Sequence, residues 1–147
     1  MNGETDLQRL LADMNPMLRE GEYVYCAVED DAASWLLLEP IGTFREPEGL
    51  TLILERSRAD AAGLSYGPVL RLITLSVHSA LEAVGLTASV SGALTRAGIS
   101  ANVVAAYYHD HVFVPAADAE RAIEALRALS SELASHSNPL PAGRERR

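Results

Sequence analysis

Apolar residues near the N-terminus recur with the period of an α-helix and predict a first helix. The residues that share one helical face, at i, i+3, i+4 and i+7, are Leu7, Leu10, Leu11 and Met14. Pro16 should end this helix, because the residue before a proline disfavours the α region. The pattern then predicts strands at residues 22–28, 35–38 and 50–55, a loop at 42–49 and a short helix at 59–64.

The second half has a more regular pattern. It predicts a strand at residues 71–77, a helix at 86–97, a strand pair at 102–109 and 112–115 joined by a tight turn at 109–110, and a last helix at about 118–134. The faces of the two helices that should be buried carry Leu86, Val90, Leu94 and Ala97, and Ile123, Leu126, Leu129 and Leu133.

The order β-α-β-β-α in the second half lacks one strand of the split βαβ plan. The tail at residues 136–147 is short, polar and interrupted by Pro139, Pro141 and Gly143, so we predict that it is disordered. The missing strand should therefore come from the first half or from another chain. The pattern predicts an α+β protein whose halves share antiparallel sheets.

Composition and charge narrow the class of protein. The 147 residues are enough for one ordinary domain or two very small ones that share a core. The formal net charge of −8 gives an acidic surface that repels phosphate backbones, so we predict no nucleic-acid partner. No apolar run approaches the roughly 20 residues needed to span a bilayer, so we predict no membrane association. The single Cys26 suits a reducing compartment and the N-terminus lacks a signal-peptide pattern, which together predict a cytoplasmic protein.

The segment from Ile73 to Val114 resembles the ACT domain family. It reads ITLSVHSALEAVGLTASVSGALTRAGISANVVAAYYHDHVFV, which is a strand, a loop ending in glycine, a helix ending L-x-x-A-G-I, and a hairpin. The strings GEYVYCAV, EGLTLILER and AERAIEALRAL extend the likeness over residues 5–135, and the chain looks most like a bacterial group of small paired-ACT proteins. The resemblance implies two ferredoxin-like (βαββαβ) units that share or extend antiparallel sheets. The first would cover residues 5–70, including the N-terminal helix, and the second residues 71–135.

The resemblance also implies a function. ACT units bind free amino acids at the interface between units and are not themselves catalytic, so we expect an amino-acid ligand, no cofactor, no metal and no enzyme activity. Such units commonly pair across subunits, so we expect a homodimer. We expect neither an enzyme nor a DNA-binding domain beside the two units, so a regulated protein partner would be another molecule.

A ligand site can be placed at the start of the predicted second-half helix. Unpaired N–H groups and a partial positive charge at a helix start suit an α-carboxylate, and Gly85 would allow close approach. The candidate ligand-binding residues are His78, Ser79, Leu81, Glu82, Gly85, Leu86, Thr87 and Asn102. Glu82, His78 and Asn102 would complete the polar contacts. The alternative interpretation is that Gly85 simply turns the chain and Thr87 caps the helix.

Two other classes of function stay open at this point. His78, His109 and His111 could form a metal-dependent enzyme site, although a solvated hairpin tip explains the last two more simply. No G-x-S-x-G motif occurs, and a chain without lysine has no phosphate loop of the G-x-x-x-x-G-K type. The protein could instead be a structural or partner-binding subunit that acts through an open sheet edge or an apolar patch at residues 35–38, which is otherwise a buried strand.

Overall fold

A computed structural model of the chain describes residues 3–29, 32–77 and 85–137. The protein is an α+β protein. Its helices are α1 (Gly3–Ala12), α2 (Ala32–Trp35), α3 (Arg56–Ala61), α4 (Leu86–Arg96) and α5 (Ala119–Ser137), with short 3-10 turns at Leu36–Leu38 and Ala116–Asp118. Its strands are β1 (Met17–Leu18), β2 (Tyr23–Val28), β3 (Gly42–Glu46), β4 (Gly49–Glu55), β5 (Leu70–Thr74), β6 (Asn102–Ala105) and β7 (Asp110–Pro115).

The chain folds into two compact units. One is built from two segments, Met1–Leu18 and Ile73–Arg147, and we call it the split unit. The other, Arg19–Leu72, is the continuous unit. The N-terminal helix, which we predicted to belong to a first unit at residues 5–70, packs in the split unit. The domain boundaries remain predictions. Of the tail predicted to be disordered at residues 136–147, His136 and Ser137 are instead the end of α5, and the rest lies outside the described residues.

The split unit contains the strand that the second half lacks. Its strands follow the order β1, β5, β7, β6. Strand β1 pairs antiparallel with β5, Met17 opposite Thr74 and Leu18 opposite Ile73. Strand β1 belongs to the first half of the chain. The missing strand therefore comes from the first half, which is one of the two sources that the sequence left open. Together with α4 and α5, these strands complete a βαββαβ set.

The core of the split unit lies between its sheet and its helices. The buried side chains of the two predicted helix faces are Leu86, Val90, Leu94, Ile123 and Leu126, each at most 4% exposed. Ala97 and Leu129 are partly buried against this core, and the side chain of Leu133 lies outside the described residues. Leu11 of α1 and Met14, two residues after the helix ends, belong to the same core, and Leu7 packs against it, which confirms the predicted apolar face. The 3.6-residue period therefore identified the buried surface of all three helices.

The continuous unit is a three-stranded antiparallel arrangement in the order β3, β4, β2, with Tyr23 of β2 also opposite Leu70. One face of these strands packs against α3 and the turn after α2. Its buried residues are Val24, Cys26, Leu50, Leu52, Leu54 and Ala59. Because side chains alternate along a strand, the intervening residues of β2 and β4 lie on the other face.

Two predictions in the continuous unit are wrong. Residues 35–38 are the end of α2 and a 3-10 turn, not a strand, and Glu39 then adopts a left-handed conformation (φ 54°) before Pro40. An apolar run of four residues cannot be assigned to strand or helix by its period. Residues 42–46 form strand β3 and not a loop, because they pair with β4 through a two-residue turn at 47–48. The predicted helix at 59–64 begins earlier, at Arg56.

Candidate functional site

The structure describes four of the eight predicted ligand residues. These are Gly85, Leu86, Thr87 and Asn102. The other four lie outside the described residues and are His78, Ser79, Leu81 and Glu82. Their part in a ligand site stays a prediction.

Gly85 is the residue immediately before α4 and adopts a left-handed backbone conformation, with φ 105° and ψ −13°. Any residue with a side chain would be strained there. A Cβ atom at this position would also lie 3.0 Å from Cδ2 of Leu7 in α1. The glycine therefore both turns the chain and permits a close approach, and the described group that approaches it is Leu7.

The two residues after Gly85 face different surroundings. Leu86 is 1% exposed and its side chain belongs to the core of the split unit, so only its backbone could contact a ligand. Thr87 is exposed in the first turn of α4. The position before the helix is Gly85 and not Thr87, so the interpretation of Thr87 as the helix cap is wrong. No acidic residue lies in the first turn of α4, which leaves its partial positive charge uncompensated by a side chain of that turn.

Asn102 lies on the side of the sheet away from α4. It pairs with Phe113 at the start of β6, while its neighbour Val103 packs against the core that contains Leu86. Successive side chains of a strand point to opposite faces, so Asn102 points away from the helices. The structure does not bring Asn102 beside Gly85.

The hairpin between β6 and β7 differs from the prediction at its tip. The turn spans residues 106–109, closed by a hydrogen bond from Ala106 N to His109 O of 3.0 Å. Tyr107 and Tyr108 occupy the tip, 85% and 72% exposed, with their rings edge to face. Asp110 is a strand residue only 1% exposed, so the predicted turn at 109–110 is wrong.

The histidines of the hairpin do not form a metal site with other described residues. The rings of His109 and His111 are 6.4 Å apart between centroids, and Nδ1 of His111 lies 3.0 Å from Oγ1 of Thr74. Among residues 3–29, 32–77 and 85–137, no group of three or more His, Cys, Asp or Glu side chains could hold a metal ion. The third predicted ligand, His78, lies outside those ranges.

A surface pocket of about 670 Å³ opens in the continuous unit where β2, β4 and α3 meet. Its lining residues are Glu20, Gly21, Glu22, Glu55, Arg56, Ser57 and Asp60. Arg56 donates to Oε1 of Glu22 at 2.9 Å and to the Tyr66 hydroxyl at 3.0 Å. Hydrogen bonds with Tyr66 and Glu22 raise the pKa of the Arg56 guanidinium above its usual value. No local motif in the sequence predicts this pocket, because its residues come from the segment before β2, the end of β4 and helix α3.

The apolar patch at residues 35–38 divides into two parts. Trp35 and Leu38 pack against the core of the continuous unit, as a buried segment would. Leu36 and Leu37 are 57% and 82% exposed. Phe44 on β3 is also exposed, at 68%. Exposed apolar side chains of this size are typical of contact surfaces when they are contiguous.

None of the described helices is both long enough and apolar enough to cross a membrane.

Comparison with known proteins identifies the family. The sequence matches the ACT domain twice, at residues 2–71 and at residues 69–128. The chain belongs to the ACT domain family. ACT domains are regulatory, ligand-binding modules, which gives the general class of function. The resemblance found in the sequence is therefore confirmed, and so is the fold of two ACT-like units.

Solved structures agree with this assignment. A Vibrio cholerae protein of unknown function, VC0802, described as a possible transport protein, is 50% identical, with a TM-score of 0.80 over 88% of this chain and 99% of that one. Protein Atu0741 from Agrobacterium tumefaciens is 19% identical, with a TM-score of 0.65 over 78% and 87%. The regulatory subunit of aspartate kinase from Thermus flavus is 12% identical, with a TM-score of 0.59 over 78% and 95%. The last two share the fold. A search of curated proteins found no match.

Proposed function

We propose that this ACT protein is a non-catalytic regulatory module that binds a free amino acid. The observation that carries the proposal is the double match to the ACT domain, at residues 2–71 and 69–128. We further propose that the protein is cytoplasmic and acts on another molecule.

The start of α4 is the part of the split unit that best suits the α-carboxylate of such a ligand. The helix has 11 residues, and its first N–H groups have no partner within the helix. Leu86 is anchored in the core, so the position of this helix start is fixed. Gly85 has no side chain to fill the space in front of it. The predicted contacts of Glu82 and His78 with the ammonium group are part of the same proposal.

Thermal denaturation with added amino acids tests the proposal. A ligand at 100 times its dissociation constant stabilises the folded state by about 2.7 kcal/mol, which corresponds to a shift of several degrees. We expect one amino acid, or a small group of similar ones, to raise the midpoint. If none of the protein amino acids changes the midpoint at millimolar concentration, amino-acid binding is ruled out as the function.

A matched pair of variants locates the site. Thr87→Glu places a negative charge in the first turn of α4, where it should repel a carboxylate while favouring the helix by about 0.3–1 kcal/mol. Thr87→Gln has nearly the same size without the charge. We expect the glutamate variant to lose the ligand-induced shift and the glutamine variant to keep most of it. Equal shifts in both variants would place the carboxylate elsewhere.

A partner-binding role is the second candidate, and the exposed side chains of the continuous unit favour it. In the part of the chain that the structure describes, β3 pairs only with β4, so its other edge is open. Leu37 and Phe44, 82% and 68% exposed, belong to this strand and the turn before it. We propose that a homodimer forms here. Sedimentation equilibrium should show a dimer for the natural protein and a monomer for Leu37→Glu, and a natural monomer would contradict the proposal.

A further inference from the structure

Strand β6 forms an open edge of the sheet in the split unit. In the part of the chain that the structure describes, β6 pairs only with β7. The side chains from Ser100 to His109 are all exposed except that of Val103, which is partly buried against the core. This edge is therefore open to solvent, and its backbone groups are within reach of another molecule.

The hydrogen bonding of the hairpin shows which backbone groups face outwards. Ala106 N donates to His109 O at 3.0 Å, so this pair is hydrogen-bonded. Hydrogen-bonded and non-hydrogen-bonded pairs alternate along an antiparallel ladder. The next pair, Ala105 opposite Asp110, is therefore non-hydrogen-bonded, and so is the pair that contains Val103. The N–H and C=O groups of Val103 and Ala105 point away from β7, towards the open edge.

A hydrogen bond on the far side of β7 agrees with this register. Leu75 N donates to Asp110 O at 2.9 Å, so the backbone of Asp110 faces the segment after β5 and not Ala105. Val103 and Ala105 are two residues apart on the same strand. An added strand bonds to every second residue of an edge, so these groups have the spacing that an extended backbone needs.

Strand β6 lacks the features that protect edge strands from pairing. Such edges usually carry charged side chains, prolines or bulges. Residues 97–108 contain no charged residue and no proline, and the register of β6 against β7 has no bulge. Strand β3, by contrast, carries Arg45 and Glu46 and is followed by Pro47. Of these two edges, β6 is the one suited to an uncharged partner strand.

We propose that β6 docks a protein partner, which adds an extended, uncharged segment to the sheet as a further strand. Main-chain hydrogen bonds to Val103 and Ala105 hold the segment, and the exposed rings of Tyr107 and Tyr108 at the hairpin tip contact it. This inference rests on the part of the proposed function in which the protein acts on another molecule.

Charge decides which kind of molecule the partner is. The chain has a formal net charge of −8, which attracts and steers a positively charged protein. A second copy would bring the same negative charge, and residues 97–108 offer no opposite charge to offset the repulsion. The partner is therefore a positively charged protein with an uncharged extended segment, and not a second copy.

A synthetic peptide of alternating threonine and valine, flanked by lysines at both ends, is the probe. Its control has the same sequence but is N-methylated at two adjacent central residues, which removes a donor from each edge of the extended peptide. Fluorescence anisotropy of the labelled peptides measures binding to the full-length protein. Because each lost backbone hydrogen bond weakens binding, we expect the control peptide to bind about tenfold or more weakly.

Two variants at one position test the edge itself. Ala105→Pro removes an outward N–H and places a ring at the edge, but costs no hydrogen bond to β7, so the protein should fold. Ala105→Ser keeps the N–H and is the matched control. We expect the proline variant to lose about tenfold or more in affinity and the serine variant to bind like the natural protein. Circular dichroism checks that both variants fold.

Hydrogen exchange of the natural protein provides a measurement that needs no variant. With the peptide bound, the amides of Val103 and Ala105 should exchange more slowly. The amide of Val104, which belongs to the hydrogen-bonded pair with His111, should not change.

The outcomes separate this inference from amino-acid binding. Weaker binding by the N-methylated peptide and by Ala105→Pro alone, with slower exchange at Val103 and Ala105, supports the docking site. Failure of the peptide to bind, equal binding of both peptides, or equal binding by all three proteins would overturn it. Slower exchange at the same amides when the protein alone is concentrated would show that a second copy occupies the edge, which would also overturn it. The thermal shift with amino acids is a separate measurement, so failure here leaves amino-acid binding intact.

Discussion

Replacing Gly49 by alanine should destabilise the continuous unit far more than the same replacement at Gly63. Gly49 follows the two-residue turn between β3 and β4 and has φ 150°. An added Cβ would lie 2.6 Å from the carbonyl oxygen of Val28, a backbone atom that cannot move aside independently. Gly63 also has a positive φ, 71°, but nothing lies within 4 Å of its added Cβ. The two positions therefore separate backbone strain from steric contact.

The expected losses in the free energy of unfolding follow from the backbone strain and the steric contact. A residue with a side chain in a left-handed conformation costs about 1–2 kcal/mol, and alanine recovers about 0.4–1 kcal/mol by restricting the unfolded chain. Gly63→Ala should therefore reduce the free energy of unfolding by about 1 kcal/mol. Gly49→Ala adds a contact that must be relieved by moving β2 or β4, which costs about 1–3 kcal/mol more. We expect a total loss of about 2–4 kcal/mol at Gly49.

Urea denaturation followed by circular dichroism measures both values. The comparison requires that the slope of the free energy against denaturant stays the same, because a changed slope indicates altered compactness or an intermediate. A difference between the two variants of less than about 0.5 kcal/mol would refute the reasoning, since that is the error with which independent effects add. The contact between Gly49 and Val28 would then be relieved by a small local shift.

Three further predictions concern single interactions. Tyr66→Phe removes a hydroxyl that donates to Asp60 at 2.7 Å, and should cost about 0.5–1.5 kcal/mol in urea denaturation, since the group is near the surface. Ser130→Ala should cost about 1 kcal/mol and increase hydrogen exchange at the end of α1, because the carbonyl of Ala12 loses its donor; unchanged exchange would contradict this. Burial raises the pKa of the Cys26 thiol above its usual value, so a thiol reagent at pH 8 should label the folded protein much more slowly than the urea-unfolded protein, and equal rates would show an accessible thiolate.

The sequence predicted the helices of the split unit because each has a long apolar period. Leu86, Val90 and Leu94 are all buried as their spacing requires. The need for an additional strand also followed from the order of the elements. The pattern could not show that the strand is only Met17–Leu18, because two residues carry no period.

The errors in the continuous unit have a common physical cause. Strand β3 has exposed side chains from Thr43 to Glu46, so it lacks the alternating apolar face by which strands are recognised. The apolar run at 35–38 has the opposite property: it is apolar throughout but short, and Glu39 and Pro40 then turn the chain. Strand β3 is fixed by its pairing with β4, and residues 35–38 are fixed by the packing of Trp35 and Leu38 against the core. In both places tertiary contacts decide the structure, and local composition points the other way.

The candidate site was only partly predictable for a related reason. The conformation of Gly85 follows from a glycine placed before a helical pattern, and the structure confirms the turn. Its contact with Leu7 joins residues far apart in the sequence, which no local pattern encodes. Asn102 is a candidate ligand-binding residue in the sequence because it is a polar residue on a neighbouring strand. The register of β6 and β7, which puts it on the other face, is known only from the structure.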